Sequence, residues 1–479
     1  MPTTRSTSKR SILPVAGQRV GINRLPPEVL STIFVICNRT WDLSDGNWSV
    51  FVCQTVLPAT CSYWRKVALE TPALWTKVTL SEPVPWRFSE LCLARAGPAS
   101  LLDIEIDMRE DFWAETEEGT LEELAERAEG ALAFIVKHGG VPARWKTFWM
   151  ITDAFLAQLA VIKFFQKSRF PSLISLEMMF EGPDEFDDED ENTLIEEIGS
   201  QPKILFKEPP PQLRSVKLQG VPPPYLFGHP TRPQLAGLTH LVLRLEGLYP
   251  SLDDLNKMLA ANPNLETLSL NSETIGESIK VGQKKSPKVH LPKLQSLSFI
   301  SVASSSWTSH TLMMLDVPNV NSFGLILSVG QHSRQVGTRK LLNHIIGDGS
   351  QATPVPRFPS LRSLTLASEM QLGFEHEIAD VLAAYPQLTA LTLPICPSLA
   401  PLLKRPWLAP NLERLKAGVR NLVQLKKVVN SRCKAGLPLR TVLVEYLELE
   451  VKVKPSDLAQ LRKHVDFAVV HDNDERLDD

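Results

Sequence analysis

The sequence predicts an α/β chain: a small all-helical module followed by a curved solenoid of short strands alternating with helices. Three observations predict it. A short phrase of fixed apolar spacing recurs ten times between Pro171 and Val444. Segments with the apolar period of a helix fill the gaps between copies. Ahead of them, Leu25–Pro26 opens a run of short apolar helices that ends near residue 80.

The composition permits this. The chain has 479 residues, 43% hydrophobic and 22% charged, which suits two or three domains or one long repeat array. Its net charge of −3 excludes a globally basic nucleic-acid binder. The 37 prolines favour many short elements over long helices. Cys37, Cys53, Cys61, Cys92, Cys396 and Cys433 form no CxxC pair, so neither a disulfide framework nor a zinc site is expected. They read as free thiols in a reducing, cytoplasmic or nuclear compartment.

Residues 1–21 contain Arg5, Lys9, Arg10 and Arg19, no acid and no long apolar run. They read as a disordered tail rather than a signal peptide. Residues 22–80 form the helical module. Its first helix lies in "INRLPPEVLSTIFVIC", Ile22 to Cys37. Two more follow in residues 51–80, with Cys61, Trp64, Val67 and Ala68 on one face, and "TPALW" closes the unit at Trp75.

The repeated phrase is Pro, any residue, Leu, two residues, Leu, one residue, Leu. It stands as "PSLISLEM" from Pro171, "PNLETLSL" from Pro263, "PSLRSLTL" from Pro359 and "PQLTALTL" from Pro386, among others. The first apolar positions are Leu173, Leu213, Leu238, Leu265, Leu294, Val320, Leu361, Leu388, Leu412 and Leu439. Their spacings are 40, 25, 27, 29, 26, 41, 27, 24 and 27. Most fall in the range of leucine-rich repeats. The last two apolar residues of each phrase share one strand face by period-2 alternation, and the leading Pro suits an element boundary. Helices are predicted between phrases, as in "SLDDLNKMLAAN", with Ser251 as N-cap. No repeat can bury its apolar face alone, so neighbours must stack.

Residues 81–150 read as divergent first repeats, with Trp145, Phe148 and Met150 in the apolar positions. The array continues over 151–465, with insertions near 181–210 and 328–358, and 466–479 reads as an acidic tail. The uncharged run Val381–Leu403 holds four prolines and is assigned to a strand and its turn rather than to a membrane span. The turn Asn or Cys usual in such repeats is nearly absent; only Cys396 occupies that place.

The front module resembles an F-box domain. The matching parts are Leu25–Pro26, the helix from Val29 to Cys37, the Cys-x-x-Trp helix from Cys61 to Ala68, and Pro72 with Leu74 and Trp75. The longer segment 38–50 and Ser62–Tyr63, in place of a basic pair, depart from the pattern. Downstream, "LCLARAG", "PASLLDIEI" and "ARWKTFWM" are similar to the leads into repeats in F-box proteins of mushroom-forming fungi. The resemblance implies a Skp-family adaptor as partner and, through it, a cullin-RING ubiquitin ligase, with the repeats holding a protein substrate. It implies an adaptor-binding face of Leu25, Pro26, Leu30, Ile33 and Phe34, with Val56 and Leu57 on the next helix, and a core of Cys61, Trp64, Leu74 and Trp75. Two rival readings stand beside it: a ligase-independent leucine-rich-repeat scaffold, and a nucleic-acid or phosphate binder using the basic C-terminal repeats.

No chemistry-bearing motif is present: no GxxxxGK[ST], HExxH, GxSxG or helix-opening GxGxxG. No enzyme activity, metal or cofactor is therefore expected, and neither membrane nor nucleic acid is the expected partner. Residues 181–191 hold eight acids and no base, and read as a solvated loop. Lys404 to Arg440 holds ten bases and one acid, Glu413, and reads as a solvated face or an electropositive patch.

Overall fold

The computed structural model describes residues 21–40, 51–109, 112, 121–181, 203–227, 233–246, 250–273, 287–302, 305–327, 335–347, 356–368, 375–394, 398–419, 422–446 and 455–469. The N-terminal tail, Cys396, residues 182–202 and residues 470–479 lie outside them. The chain divides into two compact units, Met1–Trp75 and Thr76–Asp479.

The first unit opens on a 3-10 turn, Ile22–Arg24. Then come α1 (Pro27–Thr40), α2 (Phe51–Thr60), α3 (Ser62–Leu69) and a second 3-10 turn, Pro72–Leu74. Pro27 at the first position of α1 sacrifices nothing, because that N–H has no intrahelical acceptor at any helix start. Glu28 in the first turn complements the helix dipole.

The second unit begins with β1 (Lys77–Leu80), α4 (Arg87–Ala96), β2 (Leu102–Met108), α5 (Leu121–Lys137), β3 (Trp145–Thr152) and α6 (Phe155–Lys167). It continues through β4 (Ser175–Phe180), β5 (Ser215–Gln219), α7 (Pro223–Phe227), β6 (His240–Glu246), α8 (Leu252–Ala260) and β7 (Thr267–Glu273). Next are β8 (Val289–His290), β9 (Ser296–Val302), α9 (Ser305–Met314), β10 (Leu315–Asp316), β11 (Ser322–Leu327) and α10 (Gln335–Ile346). The last elements are β12 (Ser363–Ser368), α11 (Glu375–Ala384), β13 (Ala390–Leu393), β14 (Arg414–Val419), α12 (Leu422–Lys434), β15 (Thr441–Tyr446), α13 (Pro455–Arg462) and β16 (Asp466–Val469).

The predicted fold class, a small all-helical F-box followed by a curved leucine-rich-repeat solenoid, is corrected by this architecture. The structure is α/β, with one open 14-stranded parallel sheet and 13 helices among the described residues. The strand order is β1-β2-β3-β4-β5-β6-β7-β9-β11-β12-β13-β14-β15-β16, and β8 pairs with β10 apart from it. The partition read from the sequence fails for a physical reason: backbone pairing runs past both ends of the phrase array. Lys77–Leu80, assigned to the helical module, pairs in parallel with β2. Asp466–Val469, assigned to the acidic tail, pairs in parallel with β15. The run Val381–Leu403 also differs, holding the end of α11, then β13, then a 3-10 turn at Ala400–Leu403.

Each phrase sets its strand by two local devices. Its Pro occupies the second position of a tight turn, where a fixed φ is an asset and no donor is needed. Thus Leu265 N donates to Asn262 O across Pro263 (3.2 Å), and Leu388 N to Tyr385 O across Pro386 (3.2 Å). The carbonyl just before each strand then accepts two N–H groups from the next repeat. Arg214 O takes Thr239 N and His240 N (2.8 and 3.0 Å), and Asn321 O takes Arg362 N and Ser363 N (2.7 and 2.9 Å). This rung, repeated along the sheet, fixes the parallel register. All ten first apolar positions are 2% exposed or less.

The missing turn Asn is replaced by ties elsewhere. Buried Asn262 accepts Leu238 N (2.8 Å) and donates to Leu235 O (3.0 Å) and Met258 O (2.8 Å), joining two repeats through one amide. Three arginines act as carbonyl clamps. Arg144 reaches Ser100 O, Gly139 O and Gly97 O. Arg357 reaches Leu312 O and Leu315 O. Arg432 reaches Leu408 O, Ala409 O and Pro410 O. Burial pulls all three guanidinium groups below their ordinary pKa.

Tyr385 is fully buried and donates its hydroxyl to Ile345 O. Burial pushes its phenol up to about 12, against about 10 in an unfolded chain. The stability carried by the neutral phenol is whole below pH ~10 and is lost as pH rises toward the folded value. Tyr385→Phe is therefore expected to flatten the alkaline loss of stability. Melting temperatures measured from pH 8 to pH 12 check this, and parallel curves for the two proteins would refute it.

Candidate functional site

The first unit turns part of its apolar surface inward and leaves part open. Leu30 and Phe34 are 0% and 1% exposed, and the Phe34 ring packs against Trp64 at 5.1 Å. Cys61 caps α3, its Sγ accepting Trp64 N at 3.4 Å. Trp75 is buried and donates Nε1–H to Ala68 O (2.8 Å). Gln54 donates to Leu74 O (2.8 Å), tying α2 to the closing turn, and Leu74 is buried. Tyr63 donates its hydroxyl to Leu25 O (2.7 Å), which clamps the Leu-Pro start to α3.

Of the residues expected to contact an adaptor, Leu30 and Phe34 therefore face the interior. Pro26 and Val56 are exposed, and Leu25, Ile33 and Leu57 are half-buried. The sequence reading missed Val29 (45% exposed) and Ile36 (53%), which are the open aliphatic residues of α1. With Ile33 they stand at i, i+4 and i+7, one stripe of the helix. That spacing was available in the sequence as the signal. Val56 on α2 is equally open, at 53%. Of the core residues expected, Leu74 and Trp75 are buried, and Cys61 and Trp64 are half-buried.

In the second unit three members of the basic segment are engaged within the fold. Arg432 is internal, and Arg405 stacks over the Trp407 ring at 4.8 Å. Arg440 pairs with Glu413 (3.3 Å). Arg440, Arg462, His464 and Asp466 line a wide, shallow depression beside β16, too open to enclose a small ligand. His240 bonds Thr239 Oγ1 (2.8 Å) at the start of β6. Among the described residues no three His, Cys, Asp or Glu side chains gather as metal ligands. No helix among them is long and apolar enough to cross a membrane.

No family model matches the chain, and no curated protein matches it.

Proposed function

We propose that this chain is the substrate-recognition subunit of an SCF-type cullin-RING E3 ubiquitin ligase. In this reading residues 22–75 serve as an F-box that takes a Skp-family adaptor, and the sheet unit holds a protein target. The observation that supports it most is the α1 stripe of exposed Val29 and Ile36 with half-buried Ile33 between them, beside exposed Val56 on α2. Aliphatic side chains aligned on one helix face are what a partner helix covers. The Leu-Pro start, held by Tyr63, and the buried Leu74–Trp75 end agree with the resemblance. The chain would supply no catalytic residue. It would raise the effective concentration of a target lysine beside a charged conjugating enzyme.

The test is co-purification of the full chain with a Skp-family adaptor, wild type against Leu25→Ala/Pro26→Ala. Retention by wild type and loss by the pair is the expected result. A folded wild type that retains no adaptor would sink the ligase reading in favour of a ligase-independent scaffold.

A further inference from the structure

The chain enters α1 through residues 22–27, and the backbone of that entry is restrained step by step. Leu25 N donates to Ile22 O at 3.1 Å, closing the 3-10 turn. Leu25 then lies extended, at φ −65° and ψ 141°, in the region that a residue before proline favours. The rings of Pro26 and Pro27 fix the next two φ angles. Pro26 O accepts Val29 N and Leu30 N (3.1 and 3.0 Å), which holds its own ψ. What these restraints leave soft is ψ of Leu25, the torsion that aims its carbonyl.

The donor that holds this carbonyl comes from another helix. Tyr63 of α3 gives its hydroxyl to Leu25 O at 2.7 Å. α3 is itself anchored: Cys61 caps it, Trp64 packs on Phe34, and Val67 and Ala68 are buried. Tyr63 belongs to the pair Ser62–Tyr63, which stands where the F-box pattern carries a basic pair. The entry so held carries open apolar side chains. Ile22 is 47% exposed, Pro26 is exposed, and Val29, one turn into α1, is 45% exposed.

We propose that Tyr63 is a positioning residue for adaptor binding, its hydroxyl presetting the Leu25–Pro26 entry in the conformation that the adaptor takes. The proposal rests on the ligase reading and deepens it. A segment already held in its bound conformation loses less conformational freedom on association, and affinity rises by that difference. Tyr63 acts through Leu25 O, from its half-buried place on α3. Without the hydroxyl, ψ of Leu25 is free to turn, and Pro26 with the chain before it no longer keeps a fixed place relative to the α1 stripe.

The test titrates an immobilised Skp-family adaptor with the full chain, wild type and variants, under conditions where urea melts show each variant fully folded. Tyr63→Phe keeps the ring and removes only the donor. It is expected to weaken adaptor binding about three- to tenfold, the span of one neutral hydrogen bond. Gln54→Leu removes a comparable tie, from Gln54 to Leu74 O, and controls for a purely structural loss. Its folded form should bind within about twofold of wild type. A double-mutant cycle reads positioning directly. Pro26→Ala should weaken wild type about threefold more than it weakens Tyr63→Phe, where the entry is already loose. Ile36→Ala, about 15 Å farther along α1, should weaken both alike. Equal affinity of wild type and Tyr63→Phe overturns the proposal and leaves the ligase reading standing. So does an equal loss in Gln54→Leu, or a Pro26→Ala loss of the same size in both backgrounds. A folded wild type that binds no adaptor overturns both.

Discussion

Trp145→Ala is expected to lower the stability of the sheet unit by about 3–5 kcal/mol, the upper range for deleting a buried aromatic. Trp145 is fully buried at the start of β3. Its ring stacks on Phe148 at 5.3 Å and lies 5.6 Å from Phe164 and 5.5 Å from Phe170. Its Nε1–H bonds Gly140 O at 2.8 Å. Truncation therefore opens a large cavity and strips a buried carbonyl of its donor, and the two penalties add. The site has little freedom to collapse. The turn at Gly140 already lies so close to α5 that a Cβ there would meet Ile135 Cγ2 at 2.5 Å and Ile135 O at 2.9 Å. Urea unfolding followed by circular dichroism, with hydrogen exchange across β3 and α6, reads the effect. A loss below ~1 kcal/mol would mean that the aromatic cluster repacks, contrary to this argument.

Trp145 also marks how far the sequence could be read. The phrase spacing placed Trp145, Phe148 and Met150 on the packed side, and they are there. The same reasoning located the strands from β4 to β15 that carry a phrase, because a period of two and a turn proline leave a visible mark. Ser251 as the cap of α8 was legible too, its Oγ accepting Asp254 N at 3.1 Å. The two ends of the sheet were not. All four residues of β1 are buried, including Lys77 and Thr79, so no alternation betrays a strand. β16 has four residues and no phrase, and its state is set by pairing with β15 rather than by its own composition. A strand specified by its neighbour leaves no local signal.

The candidate sites were legible in part for a related reason. Apolar residues on a short helix are equally visible in sequence whether they face a core or a partner. Leu30 and Phe34 were assigned to the docking face, whereas both are buried here, Phe34 against Trp64 of α3.

That distinction between core and surface on α1 gives the second large effect. Val29→Asp/Ile36→Asp should weaken adaptor binding by about a hundredfold or more, because each substitution places a carboxylate where an apolar contact is desolvated on binding. The unbound protein should keep its stability within about 0.5 kcal/mol, since both side chains are open to solvent before binding. Leu30→Ala makes the opposite case. Leu30 is fully buried, so its truncation should lower the stability of the first unit by about 2–5 kcal/mol. It should then lower adaptor binding only in proportion to the folded fraction. Titrating an immobilised Skp-family adaptor with each folded variant, alongside urea melts, separates the two. If Leu30→Ala weakened binding at full folding while Val29→Asp/Ile36→Asp did not, the contact face would lie across the interior side of α1, and the helix would have to rotate out of its present packing to reach a partner.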